Sequence, residues 1–273
     1  MTDAPPRSYD PDLIGGGFES ELARLEAQAR LAWPQEAAIL ENCGLGAAHE
    51  VLEIGCGSGA HLERIAGAAP QAALTGVEPD ERLRALAAER VARARLLDGT
   101  AEALPLADGG VDFAVARYVF QHVTDPDRAA REALRVLRPG GRLTAIEVDG
   151  ELWGIAQPRF PEVQAAHEKA WRAQRRRGGN RMIGRRLWRI LATAGFADLT
   201  LQLFAYHSDE LGLEAFAPLI DPSSLQPLVE VGVVGTFDYA RAVHGYERFR
   251  SDPDAFVLLV GMVISGLKPR PVS

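Results

Sequence analysis

The stretch Glu53, Ile54, Gly55, Cys56, Gly57, Ser58, Gly59 combines a carboxylate with glycines at alternate positions. Glycines so spaced permit a tight turn and let a ligand approach the backbone, whose free N–H groups at a helix start attract a carboxylate or phosphate. Glu78 follows about twenty residues later, directly after the apolar run LTGV, where an acid can accept two hydrogen bonds from vicinal ribose hydroxyls. Together they read as a site for an adenosine-bearing cofactor. They do not choose between cofactors, because GCGSGA also satisfies the G-x-G-x-x-A dinucleotide pattern.

A second constellation is Arg117, Tyr118, Gln121 and His122, within six residues. His122 is the candidate general base, since an unperturbed imidazole titrates near neutrality; the same ring also suits a structural bond to a loop. Tyr118, Gln121 and Trp153 are candidate acceptor contacts. Glu147 and Asp149 are either bases or ion-pair partners, and His207 is a further histidine. Phe160, Trp171, Phe216, Phe237, Tyr239 and Tyr246 can wall an apolar pocket or fill a core. The cysteines and histidines lack metal-ligand spacing, so no metal is expected.

These residues need elements to hold them. The short apolar run at 51–55 suits a buried parallel strand, and strands are predicted at 73–77, 94–97, 113–116 and 142–148, alternating with helices at 81–91 and 126–137. That rhythm implies a parallel sheet with right-handed crossovers. Glu78 and Arg117 then fall at the carboxyl ends of strands, where open α/β sheets bind ligands. Helical spacing over 18–40, with Pro34 opening a new turn, predicts a helical preface before the first strand. On it, Arg24 and Gln28 lie one turn apart and either can reach a ligand carboxylate or remain solvated. Later strands are expected at 199–206 and 256–267, with a helix at 182–194 and mainly helical segments elsewhere.

Composition narrows the classes. A 273-residue chain with 47% hydrophobic and 25% charged residues is an ordinary globular protein, long enough for one large α/β domain with a cap. A net charge of −7 argues against a nucleic-acid partner, and Arg175, Arg176, Arg177 read as a solvated helix end. Cys43 and Cys56 make no disulfide framework and suit a reducing compartment. With no apolar signal core and no membrane-length run, a cytoplasmic protein with no membrane partner is expected. Oligomeric state is not legible.

The set of motifs resembles the class I S-adenosylmethionine-dependent methyltransferases, especially their UbiE-like small-molecule group. VLEIGCGSG looks like that family's first motif, VEPD its ribose-binding acid, DGTAEALPLADGGVDFAVA its adenine-side loop and fourth strand, and RVLRPGGRL its fifth-strand entry. The resemblance implies S-adenosylmethionine as cofactor, S-adenosylhomocysteine as product and a small-molecule acceptor. It implies Glu53 near the methionyl amine, with Gly55, Cys56, Gly57 and Gly59 along the methionyl and ribose portion. Glu78 would hold the ribose, Pro79 would pack on the adenine, and Thr100 with Ala101 would meet its edge. Arg117 would approach the methionyl group mainly through its backbone, and Gln28 would come from the lid.

The implied architecture is a Rossmann-like α/β fold: seven strands, mostly parallel, helices on both faces, and an antiparallel last strand. Residues 1–48 would form an N-terminal helical lid, and 49–273 the methyltransferase domain with helical cap segments at about 151–179 and 208–252. The implied activity is methyl transfer to an oxygen, nitrogen or carbon atom of a small, partly apolar metabolite. Two other readings stay open: an NAD(P)-dependent oxidoreductase, supported by the glycine pattern and Glu78, and a cofactor-binding protein on the same scaffold that does not methylate.

Overall fold

A computed structural model describes residues 8–13, 16–152 and 154–271. Eight strands form one sheet: β1 (Glu50–Ile54), β2 (Ala73–Val77), β3 (Arg95–Leu97), β4 (Val111–Arg117), β5 (Leu137–Glu147), β6 (Gly154–Gln157), β7 (Ala197–His207) and β8 (Phe256–Leu267). The first five run parallel in the order β3-β2-β1-β4-β5. β8 then lies antiparallel between β5 and β7. β1 and β4 are almost wholly buried because both sheet faces are covered, and apart from Glu50, Glu53, Asp112 and Arg117 they are apolar.

Helices α2 (Ala60–Ala68) and α3 (Glu81–Arg90) follow β1 and β2, and α4 (Pro126–Val136) follows β4. Their starts are set locally. Asp80 accepts the backbone N–H groups of Arg82 and Leu83 at the head of α3, and Asp125 accepts that of Arg128 ahead of Pro126 in the first turn of α4. α5 (Pro161–Arg176) and α6 (Gly184–Ala194) come after β6, and α6 stops at Gly195, whose φ of 106° only glycine adopts readily. Short helical turns occupy residues 208–230, and α7 (Thr236–Arg250) leads into β8. One core packs α1 (Phe18–Asn42), α2, α5, α7 and the 208–230 turns against the sheet; the other packs α4 and α6 on its opposite face.

The structure departs from the sequence-based expectation in three places. The preface is one continuous helix, α1 (Phe18–Asn42), with Pro34 inside it. Pro34 is exposed, so the backbone bond it cannot make leaves an acceptor facing water rather than core. The sheet has eight strands instead of seven: β6 lies within the span expected to be helical cap. β8 is twelve residues long, pairing β5 over Met262–Leu267 and leaving Phe256–Leu259 for β6 on the same edge. Finally, β5 begins at Leu137 and runs through Pro139, Gly140 and Gly141, ahead of the strand start expected at 142.

Candidate functional site

The glycine turn bends the chain off β1. The N–H groups of Gly55 and Cys56 both donate to the Val77 carbonyl at 2.7 and 3.1 Å, tying the turn to the end of β2. Gly57 has φ of 54° and Gly59 of 78°, and a Cβ at Gly59 would sit 2.9 Å from the Ala87 Cα, so only glycine there lets α2 approach α3 this closely. Glu78 is buried at the end of β2, its two carboxylate oxygens accepting the N–H groups of Gly57 at 3.0 Å and Asp80 at 2.9 Å. Sequence elements 21 residues apart thus become one rigid corner.

From this corner a cavity of about 1020 Å³ crosses the carboxyl ends of β1 and β4. Pro79, Thr100 and Ala101 line it beside Glu78. Gly55, Cys56 and Gly57 form its floor, while Gln28 and Arg24 of α1 form part of its roof. Gly59 is not in the wall; its contribution is the α2–α3 packing.

Under the floor runs a buried chain of polar groups. Glu53, only 1% exposed, meets His61 Nδ1 at 2.7 Å, and His61 Nε2 lies 3.6 Å from Glu36. Glu36 takes the Arg117 Nε at 2.9 and 3.0 Å, and Arg117 Nη2 donates to the Gln28 carbonyl at 3.0 Å. Burial pushes the Glu53 carboxyl up to about 8 and the His61 imidazole down to about 3, the latter reinforced by the Arg117 charge. At neutral pH Glu53 therefore keeps its proton, which it donates to Nδ1, and His61 turns its Nε2–H toward the Glu36 carboxylate. The second Glu53 oxygen, Oε2, is buried without a hydrogen-bond partner. An ammonium group is the chemistry that this carboxyl lacks.

The other end of the cavity opens where β4 leaves the sheet. Tyr118 has φ of 56°, a conformation rarely held by a side chain of its size, and its ring lies under the Arg117 guanidinium at 4.5 Å. Gln121 is buried and its side-chain amide donates to the Tyr118 carbonyl. Gln174 of α5 donates both to the Gln121 carbonyl at 3.1 Å and to His122 Nδ1 at 3.0 Å. Burial, with the Arg181 charge, holds His122 neutral well below its usual range. Its Nδ1 lone pair is already used, so its proton sits on Nε2 and the ring offers a donor rather than a base. The segment before α1 closes over this end: Ser8 donates to the His122 carbonyl at 2.6 Å, and Tyr9 stacks edge-on against the His122 ring.

Of the residues that the sequence singled out, Gln28, Glu53, Gly55, Cys56, Gly57, Glu78, Pro79, Thr100, Ala101, Arg117, Tyr118, Gln121 and His122 all line this one cavity. Trp153 lies outside the described residues. Glu147 is buried behind Gln121, whose N–H it accepts, and Asp149 is clamped by Arg185 through two nitrogens at 2.5 and 2.6 Å. His207 sits near Glu210 instead. Among the aromatics Trp171 lines the cavity, Phe160, Phe216 and Tyr246 are core, and Phe237 is exposed. Glu36, His61, His167, Gln174 and Arg181 were missed. No local signal marks them, since each acquires its partner from a distant element.

The sequence model of a methyltransferase domain family matches residues 52–145. An uncharacterized 37.1 kDa protein in a Streptomyces fradiae transposon is 32% identical over 195 residues, 68% of this chain and 56% of its own length. The ubiquinone/menaquinone biosynthesis C-methyltransferase UbiE of Pasteurella multocida is 33% identical over 117 residues, 40% of this chain and 43% of its own. The chain thus spans about half the length of these curated relatives. Among solved structures, a Thermotoga maritima SAM-dependent methyltransferase, possibly a histamine N-methyltransferase, superposes with a TM-score of 0.55 at 24% identity, over 92% of this chain and 96% of that one. Among the described residues no helix is long and apolar enough to cross a membrane, and no group of three or more potential ligands could hold a metal ion.

Proposed function

We propose, for a chain that belongs to the class I S-adenosylmethionine-dependent methyltransferase family, that it moves a methyl group to an oxygen, nitrogen or carbon of a small, partly apolar acceptor. The observation that carries this reading is the extent of the single cavity, whose lining includes the Glu78 corner together with Tyr118, His167, Trp171 and Leu228. Bound there, S-adenosylmethionine supplies a methyl group already activated by its sulfonium charge.

The residues fit that cofactor. Glu78 would hold the ribose hydroxyls, Thr100 and Ala101 the adenine edge, Gly55, Cys56 and Gly57 the methionyl portion, and Gln28 its carboxylate. Glu53, with Oε2 unpaired, would receive the ammonium. An in-line displacement on an activated methyl needs alignment more than acid–base groups. The chain's contribution is therefore positional. Tyr118 and Gln121 orient the acceptor, His122 donates a hydrogen bond from Nε2, and the segment around Tyr9 together with cap residues Leu225 and Leu228 keeps water out. Incubation with methyl-labelled S-adenosylmethionine across a library of small metabolites tests the proposal. Label appearing in a low-molecular-weight product supports it, and stoichiometric binding with no transfer to any class of acceptor would leave a protein that only holds the cofactor.

A further inference from the structure

Arg181 lies in the loop between α5 and α6, anchored where β5 ends by a bond from the Gly150 N–H to its own carbonyl at 2.9 Å. Its guanidinium lines the cavity, donating from Nη1 to Gln121 Oε1 at 2.5 Å. Its Nε is buried with no hydrogen-bond partner, and no described carboxylate lies within ion-pair distance. Of the other four arginines in the lining, Arg128 is exposed and Arg177 only partly buried, while the two nearest the cofactor corner are neutralised, Arg24 by both oxygens of Glu21 at 2.6 and 2.7 Å and Arg117 by Glu36.

Arg181 is half-buried as a residue, but its Nε is sealed from solvent, and a desolvated guanidinium nitrogen with no acceptor and no counter-charge is costly. The surroundings of Arg181 do not relieve it. Arg24 faces it with like charge, and burial outweighs the attraction of Glu147 and Glu21, lowering the guanidinium to about 10. Glu147 is itself held mostly protonated by burial, at about 8. The nearby rings of His122 and His167 are neutral, pushed down by burial and then by Arg181. An anionic partner from outside the chain would satisfy the guanidinium from the cavity side.

We propose that the acceptor bears a carboxylate and that Arg181 is the residue that binds it. This rests on the methyltransferase reading. Arg181 approaches from the β5 side, through Gln121, whereas the cofactor corner is built on β1 and β2 with Arg24 and Gln28 above it. Trp171, stacked on His167 with ring centroids 6.3 Å apart, would cover the apolar body of such an acid. The guanidinium fork suits a carboxylate in two-point contact.

The rival source of a carboxylate is the cofactor's own methionyl end, and the experiment separates the two. Benzoate, indole-3-acetate and hexanoate are titrated into the wild-type protein saturated with S-adenosylhomocysteine, each against its amide. The expected result is an acid-over-amide preference of about ten- to a hundredfold for at least one pair, the strength of a charge-assisted contact. In Arg181→Met that preference collapses while affinity for S-adenosylhomocysteine stays within about threefold. Arg181→Lys, which keeps the charge but not the fork, retains part of it and guards against a Met variant that fails to fold. No acid preference in the wild type, or an undiminished one in Arg181→Met, overturns the proposal. So does a large loss of S-adenosylhomocysteine affinity in that variant, which would assign Arg181 to the cofactor. A wild-type protein that binds no S-adenosylhomocysteine instead refutes the cofactor reading, and the acid-over-amide comparison on the free protein still decides for or against Arg181.

Discussion

Replacing Glu78 by alanine removes the acid that joins the glycine turn to the end of β2. Its two oxygens are oriented by the N–H groups of Gly57 and Asp80, at 3.0 and 2.9 Å. Two charge-assisted bonds to a ribose diol at this buried corner contribute about 2–4 kcal/mol, a loss of roughly thirty- to several-hundredfold in affinity. Asp80→Ala provides the contrast, two residues away. Its carboxylate caps α3 through the N–H groups of Arg82 and Leu83 at 3.0 and 3.1 Å. Losing it costs about 1 kcal/mol of stability, a fall of roughly 2–4 °C in Tm for a chain of this size. Its cofactor affinity should change no more than about twofold. Calorimetric titration of both variants with S-adenosylhomocysteine, with thermal unfolding alongside, reads the two effects separately. Equal affinities would mean that Glu78 is not the ribose ligand, and the alignment of chain and cofactor would have to be redrawn.

Three further outcomes follow from the same geometry. Because Glu53 is protonated up to about pH 8 in the free protein and an ammonium favours its ionised form, cofactor binding at pH 7 should release close to one proton. Titration of S-adenosylhomocysteine in buffers of different ionisation enthalpy measures this, and Glu53→Gln should abolish it; a buffer-independent enthalpy in the wild type refutes the ammonium assignment. Burial raises Glu147 from 4.5 in the unfolded chain to about 8, so its contribution to stability is full below pH 4.5 and is lost as pH rises through 8. Stability should therefore fall between pH 6.5 and 8, by up to about 1.4 kcal/mol per pH unit from this group, lowering wild-type Tm over that range, and Glu147→Gln should flatten the slope. Deleting residues 1–15 removes the Ser8 bond to the His122 carbonyl and the Tyr9 bond to Glu21 but spares α1. It should weaken S-adenosylhomocysteine binding severalfold with a cooperative unfolding transition retained, and unchanged affinity would show that this segment does not close the cavity.

The parallel half of the sheet and the corner joining the glycine turn to Glu78 were legible because their determinants are local. Strand apolarity, the glycine turn and the acid after β2 each act within a few residues. The late strands were also visible, but β6 was not: four residues of alternating exposure at a sheet edge carry too little periodicity, and β6 exists only because β8 outruns β5. Pro34 misled in the opposite direction, since its effect depends on whether it faces water. The polar relay from Glu53 to Arg117 and the isolation of Arg181 were invisible for a further reason. Glu36 and Arg117 are 81 residues apart, and Gln121 and Arg181 are 60 apart; whether a charge is paired is a tertiary property. His122 shows the same limit at a single residue. Its place was readable, but its role as donor follows from Gln174, 52 residues away.

The central claim is that this cavity is built for S-adenosylmethionine and its product. Parallel calorimetric titrations of the unmodified protein with S-adenosylhomocysteine and with NADH test it most directly. The account predicts saturable one-to-one binding of S-adenosylhomocysteine at micromolar concentrations and no binding of NADH. Tight binding of NADH with none of S-adenosylhomocysteine would contradict it.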